Sequence, residues 1–312
     1  MASTAKVMTA LAILDKKPLS PGQQGPLLTF DSEDADYYQK AFAQGESVLP
    51  VKNGQQISEY QALEALLVPS ANNIAYSLSR WAFGSEDSYL TYANQRAKEL
   101  GMNNTHFADA SGFSPQTTST ARDLVILGLE AMKNRLISSV VSQSQANLPG
   151  AGNVKNVNWL LGTEGIVGIK TGNTDEAGGC FLLAAKRSID NQTITVITAI
   201  MNSPDLLAAM TSAKTLMLAA DDGFSKINDR FVATYSALWG ATATATKNVS
   251  ILAWTGKHTT QTSALKALPA GSEAGTPAGA VNLKNANYTN TELVKLDKPL
   301  TKPSFWWRIF HL

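Results

Sequence analysis

Ser3-Thr4-Ala5-Lys6-Val7-Met8-Thr9-Ala10-Leu11-Ala12-Ile13-Leu14 sets a hydroxyl and an amine three residues apart, then runs on almost without a polar side chain. The run is too long for an ordinary strand and reads as a helix buried on most of its faces. Residues three apart on a helix share a face, so the Ser3 hydroxyl and the Lys6 amine are neighbours. A serine hydroxyl is a weak nucleophile until a base takes its proton. A lysine serves as that base once burial or a second cation lowers its pKa. Taken alone the pattern is weak. Ser263-Ala264-Leu265-Lys266 repeats it, in a stretch that reads as a surface turn.

Beyond this helix, residues 18–57 are rich in Gly, Pro and Asp and read as loops with short elements. Ser58 and Gln61 form a capping-box signature for a helix that Pro69 stops. Further helices are expected from 72 or 73 to 82, over 88–100, and from Thr120 and Asp123 onward. From 165 the period changes. Ile166–Thr171, Cys180–Lys186 and Thr193–Met201 read as strands, and 204–222 reverts to a helix. The expected domains are a catalytic domain over 1–224 and a small all-β domain over 225–300. Lys298 to Pro303 reads as a linker into an aromatic tail over 301–312. The key motif starts at residue 3, so strands that would precede it are expected to be missing from this chain.

The chain has 312 residues, 44% of them hydrophobic, enough for a sizeable core. Charged residues make up 16% and the formal net charge is +1, so no basic field or stripe points to nucleic acid. Cys180 is the one cysteine, which excludes an intramolecular disulfide; it lies in an apolar run and reads as a buried structural residue. His106, His258 and His311 are scattered, and no His/Cys cluster has metal-ligand spacing. Neither a signal peptide nor an apolar run of 18 residues is present.

Two more triplets bear on chemistry. Ser70-Ala71-Asn72 follows Pro69 between two helices, where a loop can present a hydroxyl and an amide to a cleft; Ser and Asn are equally ordinary helix N-caps. Lys170-Thr171-Gly172 lies at the end of the first strand. A cation, a hydroxyl and a residue without a side chain suit a carboxylate ligand lying along that strand. An exposed Lys at a strand-ending turn is the other reading.

In order, Ser3-x-x-Lys6, Ser70-x-Asn72 and Lys170-Thr171-Gly172 resemble the signature set of penicillin-binding proteins and serine β-lactamases. Leu100-Gly101-Met102-Asn103-Asn104-Thr105-His106-Phe107, Ala110-Ser111-Gly112-Phe113, Ser119-Thr120-Ala121-Arg122-Asp123-Leu124 and Gly168–Gly178 narrow the resemblance to low-molecular-mass serine D-alanyl-D-alanine carboxypeptidases. It covers about residues 1–222. The resemblance implies an α/β (more narrowly α+β) fold of the penicillin-recognising transpeptidase/β-lactamase type: an antiparallel sheet flanked by helices, then the small β domain.

It also implies roles. Ser3 is the nucleophile, Lys6 its base, Ser70 a proton relay and Asn72 a positioning group. Lys170 and Thr171 hold the substrate carboxylate, Gly172 allows its close approach, and the amides of Ser3 and Asn173 form the oxyanion hole. Many family members carry His where this chain has Asn173, and strands ahead of the Ser-x-x-Lys helix. The implied partners are a peptidoglycan stem peptide and β-lactam antibiotics, with no metal or organic cofactor. The implied place is the extracytoplasmic face of the membrane or the cell wall. Two rivals share the triplets: a β-lactamase, for which Glu99 beside Asn103 is the nearest water-activating candidate, and a non-catalytic penicillin-binding or sensor protein. Trp306 and Phe310, four apart, with Arg308 beside Trp307, are candidates for a membrane-surface anchor.

Overall fold

The computed structural model describes residues 1–286 and 288–310. It divides into two compact units: residues 1–188 with 193–219, and residues 189–192 with 220 to the end of the chain.

In the first unit a 3-10 turn, Ala2–Ala5, runs directly into α1 (Lys6–Lys16). Every α1 residue from Lys6 to Leu14 is buried. A helix apolar on all sides belongs at the centre of a core, and α1 packs against four neighbours. These are α3 (Glu59–Leu67), α4 (Asn72–Phe83), α5 (Glu86–Glu99) and α6 (Ala121–Lys133). The Ser58 cap with Gln61 forms as the sequence predicts, and Gly84 closes α4 in the left-handed conformation. β1 (Leu27–Thr29) pairs with β2 (Gln56–Ser58). Helix α7 (Arg135–Val141) precedes the hairpin of β3 (Gln145–Leu148) and β4 (Gly152–Lys155).

The sheet of this unit has the order β5 (Ile166–Thr174), β6 (Gly178–Ile189), β7 (Gln192–Ser203). Ile169, Leu182 and Ala184 join the main core, while Ile166, Phe181 and Leu183 pack with α8 (Leu206–Asp221). The sheet is thus covered on both faces. Cys180 is free and fully buried.

Strands build the second unit. β8 (Phe224–Ser236) pairs with β9 (Thr242–Trp254), and β10 (Thr259–Leu265), β11 (Pro277–Asn285) and β12 (Tyr288–Lys295) form a second antiparallel sheet. Phe231, Val249, Ile251, Val281, Leu283 and Val294 fill its core. A short helix α9 (Phe305–Phe310) follows.

Several expectations need correction. Residues 18–57 hold a 12-residue helix, α2 (Ser32–Ala43), with a complete Asp31/Asp34 capping box. Only Asp34 and Ala41 of it are buried, so its apolar stripe is too thin to read as a period. Helix α7 and the β3–β4 hairpin also went unread. Ser263 lies within strand β10 rather than in a turn; seven paired residues there leave no room for one. Lys170-Thr171-Gly172 sits inside β5, because pairing continues to Thr174 opposite Gly178. Residues 298–303 are no free linker, since Leu300 is buried in the second core.

Candidate active site

The 3-10 turn and the first turn of α1 hold Ser3 and Lys6 in the geometry their spacing predicts. Lys6 Nζ lies 2.7 Å from Ser3 Oγ. It also donates to Asn72 Oδ1 at 2.5 Å and to the Ser111 carbonyl at 3.1 Å. Lys6 is fully buried. Burial, and secondarily the Lys170 cation, press its pKa well below the usual lysine range; Asp109 and Glu46 oppose this from a distance.

The three partners decide what this amine can do. A carbonyl oxygen and an amide oxygen only accept. An ammonium satisfies all three partners with its three N–H groups. A neutral amine has two N–H groups, which go to Asn72 Oδ1 and Ser111 O, and one lone pair. That lone pair is left facing Ser3, where it accepts the hydroxyl proton. The arrangement thus leaves the lone pair of a neutral Lys6 facing one particular hydroxyl.

Each partner is placed by local structure. Ala71 occupies the N-cap of α4 with no side-chain cap bond, so neither Ser70 nor Asn72 caps the helix. The Asn72 amide is spent on Lys6 instead. Ser70 is buried and has φ 68, a left-handed conformation uncommon outside glycine. Asn72 joins the second triplet to the first directly; Ser70 has no side-chain hydrogen bond among the described residues.

Ser111 sits in a loop that Asp109 organises. The Asp109 carboxylate accepts from Ser111 Oγ (2.6 Å), Phe113 N (2.9 Å) and Thr117 Oγ1 (2.5 Å). Thr9 on α1 donates to Ala110 O at 2.7 Å, pinning the loop to the helix. Gly112 has φ 79, and a Cβ there would lie 2.0 Å from Ala2 O. Only glycine allows this approach.

From the other side comes β5. A Cβ on Gly172 would lie 2.7 Å from the Ser3 backbone nitrogen, so the third triplet abuts the first at a distance only glycine tolerates. The Ser3 amide stands at the start of a helical turn, where N–H groups lack intrahelical acceptors. Lys170 is buried and donates to Thr171 O at 3.1 Å; burial brings its pKa down to about 7. Thr171 is buried too, and Asn173 is exposed. A cavity of about 290 Å³ opens beside Ala2, Gly112 and Thr174. Among the described residues no group of three His, Cys, Asp or Glu side chains could hold a metal ion.

Two participants escaped the sequence reading. Ser111 acts through its backbone carbonyl, which has no side-chain signature, although it lies in a quoted family stretch. Glu46 accepts from Asn72 Nδ2 at 2.5 Å, from a segment with no legible period.

Comparison with known proteins matches residues 1–205 to the family described as D-alanyl-D-alanine carboxypeptidase. A D-alanyl-D-alanine carboxypeptidase of Bacillus subtilis is 27% identical over 60% of this chain and 48% of its own length. One from a Streptomyces strain is 29% identical, covering 69% of this chain and 76% of the relative. The chain thus spans about half the length of the Bacillus relative. A crystal structure of a Streptomyces DD-transpeptidase aligns with TM-score 0.60 at 29% identity, over 70% of this chain and 86% of that one. The DacD carboxypeptidase of Francisella tularensis aligns with TM-score 0.65 over 96% of this chain and 88% of its own, at 20% identity, and shows the fold alone.

Proposed function

Because this chain belongs to the D-alanyl-D-alanine carboxypeptidase family, we propose that it removes the terminal D-alanine from peptidoglycan stem peptides through an acyl-enzyme on Ser3. The observation that carries the reading is the Lys6 amine, buried, lowered in pKa and 2.7 Å from Ser3 Oγ.

Neutral Lys6 takes the Ser3 proton as Ser3 Oγ bonds to the carbonyl carbon of the penultimate D-alanine. The Ser3 and Asn173 amides hold the resulting oxyanion, a contribution of about 3–4 kcal/mol for each donor. Only the backbone of Asn173 is needed for this, so the usual histidine is dispensable there. Breaking the peptide C–N bond expels D-alanine, whose nitrogen receives a proton through Ser70. Protonated Lys170 and the Thr171 hydroxyl hold the substrate carboxylate, and Gly172 lets it lie close to the strand. Water then attacks the ester carbonyl and frees Ser3. A β-lactam enters by the same attack and stays attached. No organic cofactor or metal takes part in this scheme.

Such a substrate places the protein on the extracytoplasmic face of the membrane, at the cell wall. No helix of the described residues is long and apolar enough to cross a membrane. Helix α9 exposes Phe305, Trp306, Ile309 and Phe310, with Trp306 stacked on Phe310, which supports attachment to a membrane surface. His311 and Leu312 lie outside the described residues. Trp307 is turned against Trp239 of the β unit.

The test is intact-mass spectrometry after incubation with penicillin and with a D-alanyl-D-alanine peptide. A lasting penicillin adduct, lost in Ser3→Ala, together with released D-alanine is the expected result. Rapid turnover of penicillin identifies a β-lactamase instead. An adduct without peptide hydrolysis identifies a sensor.

A further inference from the structure

The side chain that fixes the base is itself held in place. Asn72 Nδ2 donates to Glu46 Oε2 at 2.5 Å, and the Asn72 amide nitrogen donates to Ser47 O at 2.7 Å. The next residue completes the seam: Asn73 Oδ1 accepts from Leu49 N, and its Nδ2 donates to Leu49 O, both at 2.9 Å. The segment from Glu46 to Leu49 is thus built onto the start of α4. Leu49 and Asn73 are buried, while Glu46 is half-buried.

An asparagine amide has two ends with opposite hydrogen-bonding sense. A 180° flip of Asn72 would turn Nδ2 toward Lys6. The lone pair of the neutral amine would then accept from that N–H, and Ser3 would lose its base. A carboxylate opposite the other end forbids the flip, because it only accepts and demands an N–H. We propose that Glu46 is a positioning residue of the catalytic site, locking the Asn72 amide with its oxygen on Lys6 so that the Lys6 lone pair is reserved for Ser3. The inference rests on the assignment of Lys6 as base.

Glu46 also adds charge. Three charged groups act on Lys6: Lys170 from β5, Asp109 from the loop before α6, and Glu46 from the loop after α2. Lys170 favours the neutral amine; the two carboxylates favour the ammonium. Removing the Glu46 charge therefore moves the acid limb of acylation to lower pH.

The experiment measures penicillin acylation rates of the full chain against pH, for wild type, Glu46→Ala, Glu46→Gln and their combinations with Asn72→Ala. Glutamine can offer Asn72 either an oxygen or an N–H and so no longer forbids the flip; Glu46→Gln should acylate about threefold or more slower than wild type at the plateau, with its acid limb displaced to lower pH. Glu46→Ala should be about tenfold slower or more, as expected for losing a charge-assisted hydrogen bond. In the Asn72→Ala background neither change at Glu46 should slow acylation further. Undiminished plateau acylation by Glu46→Gln would overturn the orientation argument, and so would undiminished acylation by Glu46→Ala or additive losses in the double variants. If Glu46→Ala fails to fold, the near-isosteric Gln variant and its cycle with Asn72→Ala decide. If wild type itself is not acylated at Ser3, the function fails rather than the role of Glu46.

Discussion

The chain contains the Ser-x-x-Lys pattern twice, and the two copies have opposite fates. Ser3 and Lys6 lie on one helical turn at the centre of a core, with the amine fully buried and three oxygens around it. Ser263 and Lys266 are exposed; Ser263 lies in β10, opposite Val281, and Lys266 just beyond the strand. In extended chain, residues three apart point to opposite faces. There the hydroxyl and amine cannot meet. What separates the two copies is therefore what the helix and the burial do to the four residues, not the Ser-x-x-Lys spacing they share.

The sharpest way to break this contrast is to remove each lysine. Lys6→Ala should slow penicillin acylation by about 10²- to 10⁴-fold, the usual worth of a positioned base, while Lys266→Ala leaves the rate unchanged. Stopped-flow or quench measurements of adduct formation decide it, and a rate loss in Lys266→Ala would dissolve the distinction.

Next in size is the approach of β5. Gly172→Ala inserts a methyl 2.7 Å from the Ser3 nitrogen. Neither backbone can yield cheaply, so a loss of about 1–3 kcal/mol in stability is expected, with slower acylation. A calorimetric scan beside the acylation assay checks both. An unaltered Tm would show that the strand stands farther from the turn.

The pH profile sharpens the role of burial. Lys170, brought down to about 7, must be protonated to hold a carboxylate, whereas Lys6, lowered mainly by burial, must be neutral. The kcat/KM of the free enzyme should therefore require a deprotonated Lys6 and fall as pH climbs past about 7 and Lys170 loses its charge. In Lys170→Gln the alkaline limb should vanish along with most of the affinity for the peptide carboxylate.

A further expected effect is on stability. The folded-state pKa of Lys170 lies below its unfolded value, so the unfolded chain binds the extra proton between about pH 7 and 10.5 and wild-type stability rises with pH across that window. Lys170→Met should be more stable than wild type by a few kcal/mol below pH 7, the difference fading toward pH 10.5, as read from denaturant midpoints. A constant difference at every pH would show that burial does not perturb this amine.

Legibility in the sequence followed the same division. The buried helix, the capping box at Ser58 and the three β5–β7 strands were readable, because a core imposes a period on its residues. The three triplets were visible as side-chain patterns, and the structure brings Ser3, Lys6 and Asn72 together with Gly172 against the Ser3 nitrogen. Helix α2 was missed because it buries almost nothing, despite a capping box at Asp31. Ser111 was missed as a participant because a backbone carbonyl looks the same in every residue, and Glu46 because its contact with Asn72 is set by tertiary packing across 26 positions. The copy at Ser263 was read correctly as exposed and incorrectly as a turn. Its Ala and Leu carried no turn residue, and pairing to Val281 and Ala280 decided the matter.

The state of the amine can be observed directly. An NMR titration of the lysine ε-methylene signals, assigned with Lys6→Met and Lys170→Met, should show these two resonances titrating below the usual lysine range, that of Lys170 at about 7. If the Lys6 signal titrates at the ordinary lysine value of about 10.4, the amine is an ammonium at working pH and Ser3 has no base.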